Sequence, residues 1–121
     1  GQWIYSKGQD TFCPMGPMIV TADEIPDPNN LNLWLKVNGV EKQNSNTRHL
    51  LFKIPTLIAD ISAAMTMEPG DIIATGTPAG VGAGRTPQEW LWPGDVVEAC
   101  VEGIGTLRNP VVNRMREPHK A

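Results

Sequence analysis

The sequence predicts a mixed, mainly β architecture of the rolled or barrel-like kind, with one main helix. Three observations carry this. Twelve glycines and 11 prolines stand in 121 residues without periodicity, the mark of many short strands joined by tight turns. The dipeptide Asn38-Gly39 follows an alternating apolar and polar run, the strongest short signal of a hairpin, because a type I′ turn needs positive φ at both central positions. Helical spacing of apolar residues occurs once, and strands do not alternate with helices, which argues against a parallel doubly wound sheet.

Taken in order, residues 1–17 read as a loop-rich start closed by Pro14-Met15-Gly16-Pro17, and Met18-Ile19-Val20 as a short strand. Thr21 to Glu24 looks like a capped helix start, which Pro26 and Pro28 cut short. Leu31 to Val37 alternates as a half-buried strand does, and Val40 to Asn44 is its returning partner. Ile54 to Met65 is the helix: Leu57, Ile58, Ile61 and Met65 recur at spacings of three and four, and Pro55 suits a first turn. Asp71 to Thr75 reads as a strand leading into a glycine-rich loop. Residues 83–92 form a long loop carrying Trp90 and Trp92. Asp95 to Val101 and Gly105 to Val112 pair as a second hairpin, with Gly103 near its turn. Residues 114–121 form a charged tail.

Length sets one domain with room for a modest core, and 40% apolar residues place the chain among folded globules. A net charge of −3 without a basic run argues against nucleic acid as a partner. No apolar stretch reaches the roughly 20 residues of a membrane span, and no signal peptide is visible, so the expected location is the cytoplasm. The absence of an initiator Met fits a processed start, a tag scar or a cleaved fragment. Cys13 and Cys100 match no metal or redox spacing and are expected as buried free thiols.

The residues that could carry chemistry are few. In Thr75-Gly76-Thr77-Pro78-Ala79-Gly80-Val81-Gly82 the pattern of a phosphate loop fails, since no Gly-Lys-Ser/Thr is present and no helix follows. Gly76, Gly80 and Gly82 lack Cβ, which would let backbone N–H groups face a small oxyanion, and Thr77 adds a hydroxyl. Lys7 alone would be a surface charge, and Thr11 a hydroxyl in a turn. Asp71 and Asp95 follow Pro-Gly and read as turn residues. His49 reads as a surface or interface residue, and His119 as solvated in the tail. Trp34, Trp90 and Trp92 read as packing or interface residues.

Four strings together resemble the fumarylacetoacetate hydrolase family: Lys7-Gly8-Gln9-Asp10-Thr11-Phe12, Gly16-Pro17 with Thr21-Ala22-Asp23-Glu24, Ala74 to Gly82, and Pro93 to Glu98. The likeness runs from about Gly1 to Val112. Asn46-Thr47-Arg48 and Trp92-Pro93-Gly94-Asp95 resemble bacterial members labelled ureidoglycolate lyase-like or 2-hydroxyhepta-2,4-diene-1,7-dioate isomerase-like, and the resemblance as a whole also takes in acylpyruvate hydrolase-like members. The resemblance implies the C-terminal portion of a catalytic domain over residues 1–113, an incomplete β-roll. The family's metal-binding carboxylates would lie N-terminal to the Lys7 string, and no Glu-x-Glu occurs here. It implies a catalytic Lys7 buried toward the site, substrate binding by Gly76 and Thr77, and a second-cation role for Thr11. It implies Mg²⁺ or Mn²⁺ (or Ca²⁺) in the full-length enzyme, a small 2-oxo or β-diketo acid as substrate, C–C hydrolysis, isomerisation or decarboxylation through a metal-stabilised enolate, and a homodimer or higher homo-oligomer. The alternative is a non-catalytic truncated remnant that folds and self-associates without its metal site.

Overall fold

A computed structural model describes residues 2–113. The class is as expected, mainly β with few helices. Strands β1 (Asn32–Val37), β2 (Val40–Asn46), β3 (Val96–Val101) and β4 (Gly105–Pro110) form one sheet in the order β2-β1-β3-β4. Every pairing is antiparallel, and the sheet stays open. Helices α1 (Trp3–Lys7) and α2 (Ile54–Ala64) and two single 3₁₀ turns, Thr47–His49 and Gly82–Gly84, complete the elements.

Both hairpins form where turn chemistry asks for them. Asn38 and Gly39 take φ of 52° and 77°, and Gly103 in the second turn takes 77°. Asn38 does more than turn the chain. Its Nδ2 donates to Asp95 Oδ1 at 2.8 Å, and its Oδ1 accepts from the Val96 N–H at 2.9 Å. One side chain therefore ties the first hairpin to the start of β3. The turns Glu68-Pro69-Gly70-Asp71 and Trp92-Pro93-Gly94-Asp95 share one design. Each glycine has a φ near +100°, and each aspartate accepts the N–H of the turn's first residue, at 2.8 and 2.7 Å. Asp71 and Asp95 are turn residues, as their Pro-Gly context indicates.

Cross-strand partners share a face of a sheet. Leu33, Leu35 and Val37 on β1 stand opposite Val101, Ala99 and Val97 on β3, and Ala99 stands opposite Leu107 on β4. That face is apolar. Trp34, Lys36, Glu98, Cys100 and Arg108 belong to the other, where Lys36 Nζ lies 4.5 Å from the Trp34 ring centroid. On β2 the pairing slips between Leu35 and Lys36: Leu35 faces Gln43, whereas Lys36 faces Glu41. Lys42 is thus an extra, bulged residue. The bulge brings Gln43 and Ser45 to the apolar face, opposite Leu35 and Leu33.

Several expectations fail for one shared reason. The modest core is not found: no described apolar side chain is fully buried. The chain exposes 10186 Å², where a compact protein of its mass exposes about 6,400 Å². The nine residues outside the described range account for at most about 1,400 Å² of the difference. A single sheet has no second layer to close on, and extensive packing between elements is confined to neighbouring strands. Met18 to Val20 and Ile72 to Thr75 are not strands and make no backbone–backbone hydrogen bonds among the described residues. The expected loop over 1–17 holds the short α1. Helix α2 ends at Ala64, with Leu57 and Ile61 half-buried and Met65 extended and exposed. Cys13 and Cys100 are unpaired, but Cys13 is exposed and Cys100 only half-buried. The charged tail and His119 lie outside the described residues.

Candidate functional site

A cleft of about 470 Å³ opens on the apolar face of the sheet, between the end of β2 and the glycine-rich loop. Its walls are Leu33 and Ser45 from the sheet, Thr47, His49 and Leu51 from the chain after β2, and Thr75 to Ala79 from the loop. The volume suits a small-molecule ligand.

The bulge on β2 positions the loop. Gln43 Nε2 donates to Pro78 O at 2.9 Å and to Thr77 Oγ1 at 3.0 Å, with Ala79 O at 3.3 Å. Arg85 Nη2 donates to the Lys42 carbonyl at 2.7 Å, and its Nε reaches back to Gly80 O at 3.2 Å. Lys42 Nζ pairs with Glu89 Oε2 at 2.6 Å. The hydrogen bond from Lys42, reinforced by the charges of Lys42 and Arg85, holds the Glu89 carboxyl below its ordinary value. Asp95 is held low as well, by the Trp92 N–H first and Asn38 second. The loop is strapped to the sheet edge at both ends.

This docking corrects the reading of the glycines. A Cβ at Gly80 would overlap the Lys42 carbonyl oxygen, and a Cβ at Gly82 would overlap the Glu89 carbonyl oxygen. Those two glycines serve close approach of protein to protein, not of ligand to backbone. Gly76 has nothing within 4 Å of a built Cβ and a φ of 106°. Of the three, Gly76 alone lines the cleft.

The hydroxyls of the cleft are already partly committed. Thr47 Oγ1 accepts the Leu31 N–H at 2.8 Å, and Thr77 Oγ1 accepts from Gln43. Asn46 is buried, its Nδ2 donating to Asn32 Oδ1 at 2.9 Å and its Oδ1 accepting from the Arg48 N–H at 2.8 Å. It shapes the corner that presents Thr47.

The sequence-predicted residues divide. Gly76 and Thr77 line the cleft; Lys7 and Thr11 do not. Lys7 ends α1, exposed rather than buried, its Nζ 5.7 Å from the Trp3 ring centroid. Thr11 holds a φ of 68°, unusual for a β-branched residue. His49, read as a surface or interface residue, sits on the rim of the cleft, exposed. Thr47 stands in the string Asn46-Thr47-Arg48, which the resemblance places near the pocket without a catalytic role, and it lines the cleft; Gln43 carries no signal in the sequence, because a hydrophilic strand edge does not announce that it faces a loop 35 residues away. Trp90 and Trp92 are 58% and 68% exposed and border a shallower depression of about 430 Å³ with Val40 and Asp95, so neither is a packing residue here.

A divalent cation needs convergent oxygens or nitrogens. Among the described residues no three His, Cys, Asp or Glu side chains converge. Glu98 lies 3.6 Å from Arg108, and Glu102 Oε2 accepts the Asn32 N–H at 2.9 Å, so both are engaged in the sheet. The described residues do not fit a metal site of that kind.

Residues 1–112 match the family described as fumarylacetoacetate (FAA) hydrolase C-terminal. A mitochondrial oxaloacetate tautomerase of Xenopus laevis is 50% identical over 111 residues, covering 92% of this chain and 35% of that protein. The crystal structure of 5-carboxymethyl-2-hydroxymuconate delta-isomerase from Mycobacterium smegmatis is 50% identical with a TM-score of 0.82, covering 93% of this chain and 41% of that one. Maleylpyruvate hydrolase from Sphingobium sp. SYK-6, solved in complex with manganese(II) and pyruvate, is 47% identical with a TM-score of 0.78, covering 85% and 36%. The chain spans about two fifths of the length of the curated relatives it matches, 38% for the first of them. With a match over nearly all of its length and half of its aligned residues shared, the chain belongs to the fumarylacetoacetate hydrolase family.

Proposed function

We propose that the chain supplies the substrate-holding side of an enzyme that acts on small 2-oxo or β-diketo acids by C–C hydrolysis, isomerisation or decarboxylation through an enolate. The cleft carries this reading: it joins the Thr75 to Ala79 loop to the Thr47 corner in a pocket of about 470 Å³ with no acidic side chain in its wall. Gly76 and Thr77 orient the substrate there. Lys7 offsets negative charge as it grows on a substrate oxygen, and Thr11, in its constrained backbone, belongs with a cation. Relatives named for maleylpyruvate, oxaloacetate and a carboxymethyl-hydroxymuconate support the substrate class. The manganese and pyruvate held by the hydrolase support a divalent ion, Mg²⁺ or Mn²⁺, in the whole protein. Its ligands would come from outside the described residues. Partners are a small acid and, given the uncovered apolar surface, a second copy of the chain.

The second reading, a remnant without activity, is favoured by one observation: the described residues contain neither a core nor a ligand cluster. Steady-state kinetics on acylpyruvates, with the full-length protein and added Mn²⁺, separates the two. Lys7→Ala should lower kcat by roughly 10²–10³-fold, and Thr77→Ala should fall more on KM. Unchanged kcat/KM in Lys7→Ala, with unchanged circular dichroism, removes Lys7 from the site.

A further inference from the structure

We infer that Asn38 is a modification site: the Asn38-Gly39 turn deamidates, two bonds from the Asn38 side chain to the start of β3 hold that reaction in check, and the product unties the first hairpin from β3. The site lies away from the cleft and is independent of the reaction proposed above.

The chemistry begins with the dipeptide. An asparagine followed by glycine meets no side chain as its carboxamide approaches the next backbone nitrogen. Gly39 is exposed, and nothing lies within 4 Å of a Cβ built on it. The Gly39 nitrogen bonds to the carboxamide carbon, the bond from that carbon to Nδ2 breaks, and Nδ2 leaves as ammonia with the Gly39 amide hydrogen. Water then opens the cyclic imide at either carbonyl, giving aspartate or isoaspartate.

The fold opposes the first step. The Val96 N–H can only donate, so at 2.9 Å it fixes Asn38 Oδ1 as the acceptor and leaves Nδ2 to donate to Asp95 Oδ1 at 2.8 Å. The Trp92 N–H first and Asn38 second hold the Asp95 carboxyl below its ordinary value, so Nδ2 meets an ionised acceptor at neutral pH. Both polar atoms of the carboxamide are committed to β3 and the turn before it, and ring closure needs them released. The reaction therefore runs through local opening of the hairpin. Once it has run, the pair no longer works. The Nδ2 donor has become a carboxylate oxygen facing the Asp95 carboxylate, and two like charges at that distance repel. Aspartate tolerates the φ of 52° held at this position, so the cost falls on the pair and not on the turn. Isoaspartate also lengthens the main chain by a methylene and distorts the turn.

The test uses the full-length protein, aged in mildly alkaline buffer and then digested with trypsin. Cleavage after Lys36 and Lys42 isolates residues 37–42, in which Asn38 is the only amide side chain. Conversion of this peptide, read by mass and by isoaspartate content, should be at least about 5-fold slower in the native protein than in the same protein unfolded in urea, the low end of what two hydrogen bonds contribute. Equal rates remove the protection, and no conversion in urea removes the site; either result overturns the inference. Asn38→Asp supplies the product directly and should lower the urea midpoint. Adding Asp95→Asn rebuilds the pair with donor and acceptor exchanged, and should recover most of the loss, a coupling that two unconnected turn residues do not show. An Asn38→Asp protein as stable as wild type, or a double variant no more stable than Asn38→Asp, overturns the inference as well.

Discussion

Replacing Gly80 by alanine tests whether the glycine-rich loop is held by the sheet edge. Gly80 has a φ of +102°, and a Cβ there would run into the Lys42 carbonyl oxygen. The backbone conformation alone costs a side chain about 1–3 kcal/mol. The overlap cannot be relieved by a rotamer change, because the obstructing atom is backbone, so the loop must lift from β2. Lifting breaks the Arg85 bonds to Lys42 O and Gly80 O and the Gln43 bond to Pro78 O. At about 1 kcal/mol each in this half-exposed setting, the three bonds come to about 3 kcal/mol, and with the conformational cost the total is roughly 4–6 kcal/mol. Gly84→Ala is the control: nothing lies within 4 Å of its Cβ, and its φ is not positive. Gly76→Ala pays the conformational term without the overlap. The full-length protein should therefore lose stability and substrate affinity in the order Gly80, Gly76, Gly84, read by urea midpoints and by KM. The Gly80 variant should show a KM at least ~10-fold higher, since each 1.4 kcal/mol is a factor of ten. A Gly80→Ala protein as stable and as active as Gly84→Ala would refute the docked loop and with it the placement of Thr77.

Three further outcomes are expected. The Glu89 carboxyl is held below its ordinary 4.5 by Lys42, so its contribution is complete above that value and is lost as pH falls through the lower folded-state value. Tryptophan emission from Trp90, which adjoins Glu89, should change in that acidic window, and Glu89→Gln should abolish the transition; an identical transition in the variant would exclude the strap. Thiol counting without reductant should give two free groups, Cys13 reacting ahead of the half-buried Cys100; a count of zero contradicts this. The isolated 121-residue chain, whose described part has no fully buried apolar side chain, should self-associate or bind a hydrophobic dye; a clean monomer without dye binding at high concentration would show that its apolar faces close on each other after all.

What the sequence made legible is local. Asn38-Gly39, the alternation of β1, the Gly103 turn and the spacing of Leu57 and Ile61 all act within a few residues, and each element stands within a residue or two of where its pattern places it. Strands outside the hairpins depend on a neighbour that no local pattern names. Ile72 to Thr75 has the composition of a strand and no partner beside it. The site divides in the same way. Gly76 and Thr77 belong to a recognisable string. The function of Gly80 and Gly82 depends on the carbonyls of Lys42 and Glu89 that they meet. The importance of Gln43 depends on a bulge that its own sequence, Glu41-Lys42-Gln43, does not announce.

The single unpaired residue at Lys42 acts on β2 as an inserted base acts on a message. If Lys42 paired with Leu35 instead of standing out of the ladder, Gln43 would fall opposite Trp34 and Ser45 opposite Asn32, and the strand beyond this point would present its alternate side chains to the cleft. Substitution exchanges one side chain at a time. An insertion here that the strand does not absorb as a second bulge exchanges all of them at once, whereas deletion of Lys42 itself would leave Gln43 opposite Leu35 and Ser45 opposite Leu33; the Asn38-Gly39 hairpin upstream is left as it is in both cases. The edge of the cleft is thus specified by the count of paired residues between Gly39 and Asn46 as much as by their identity.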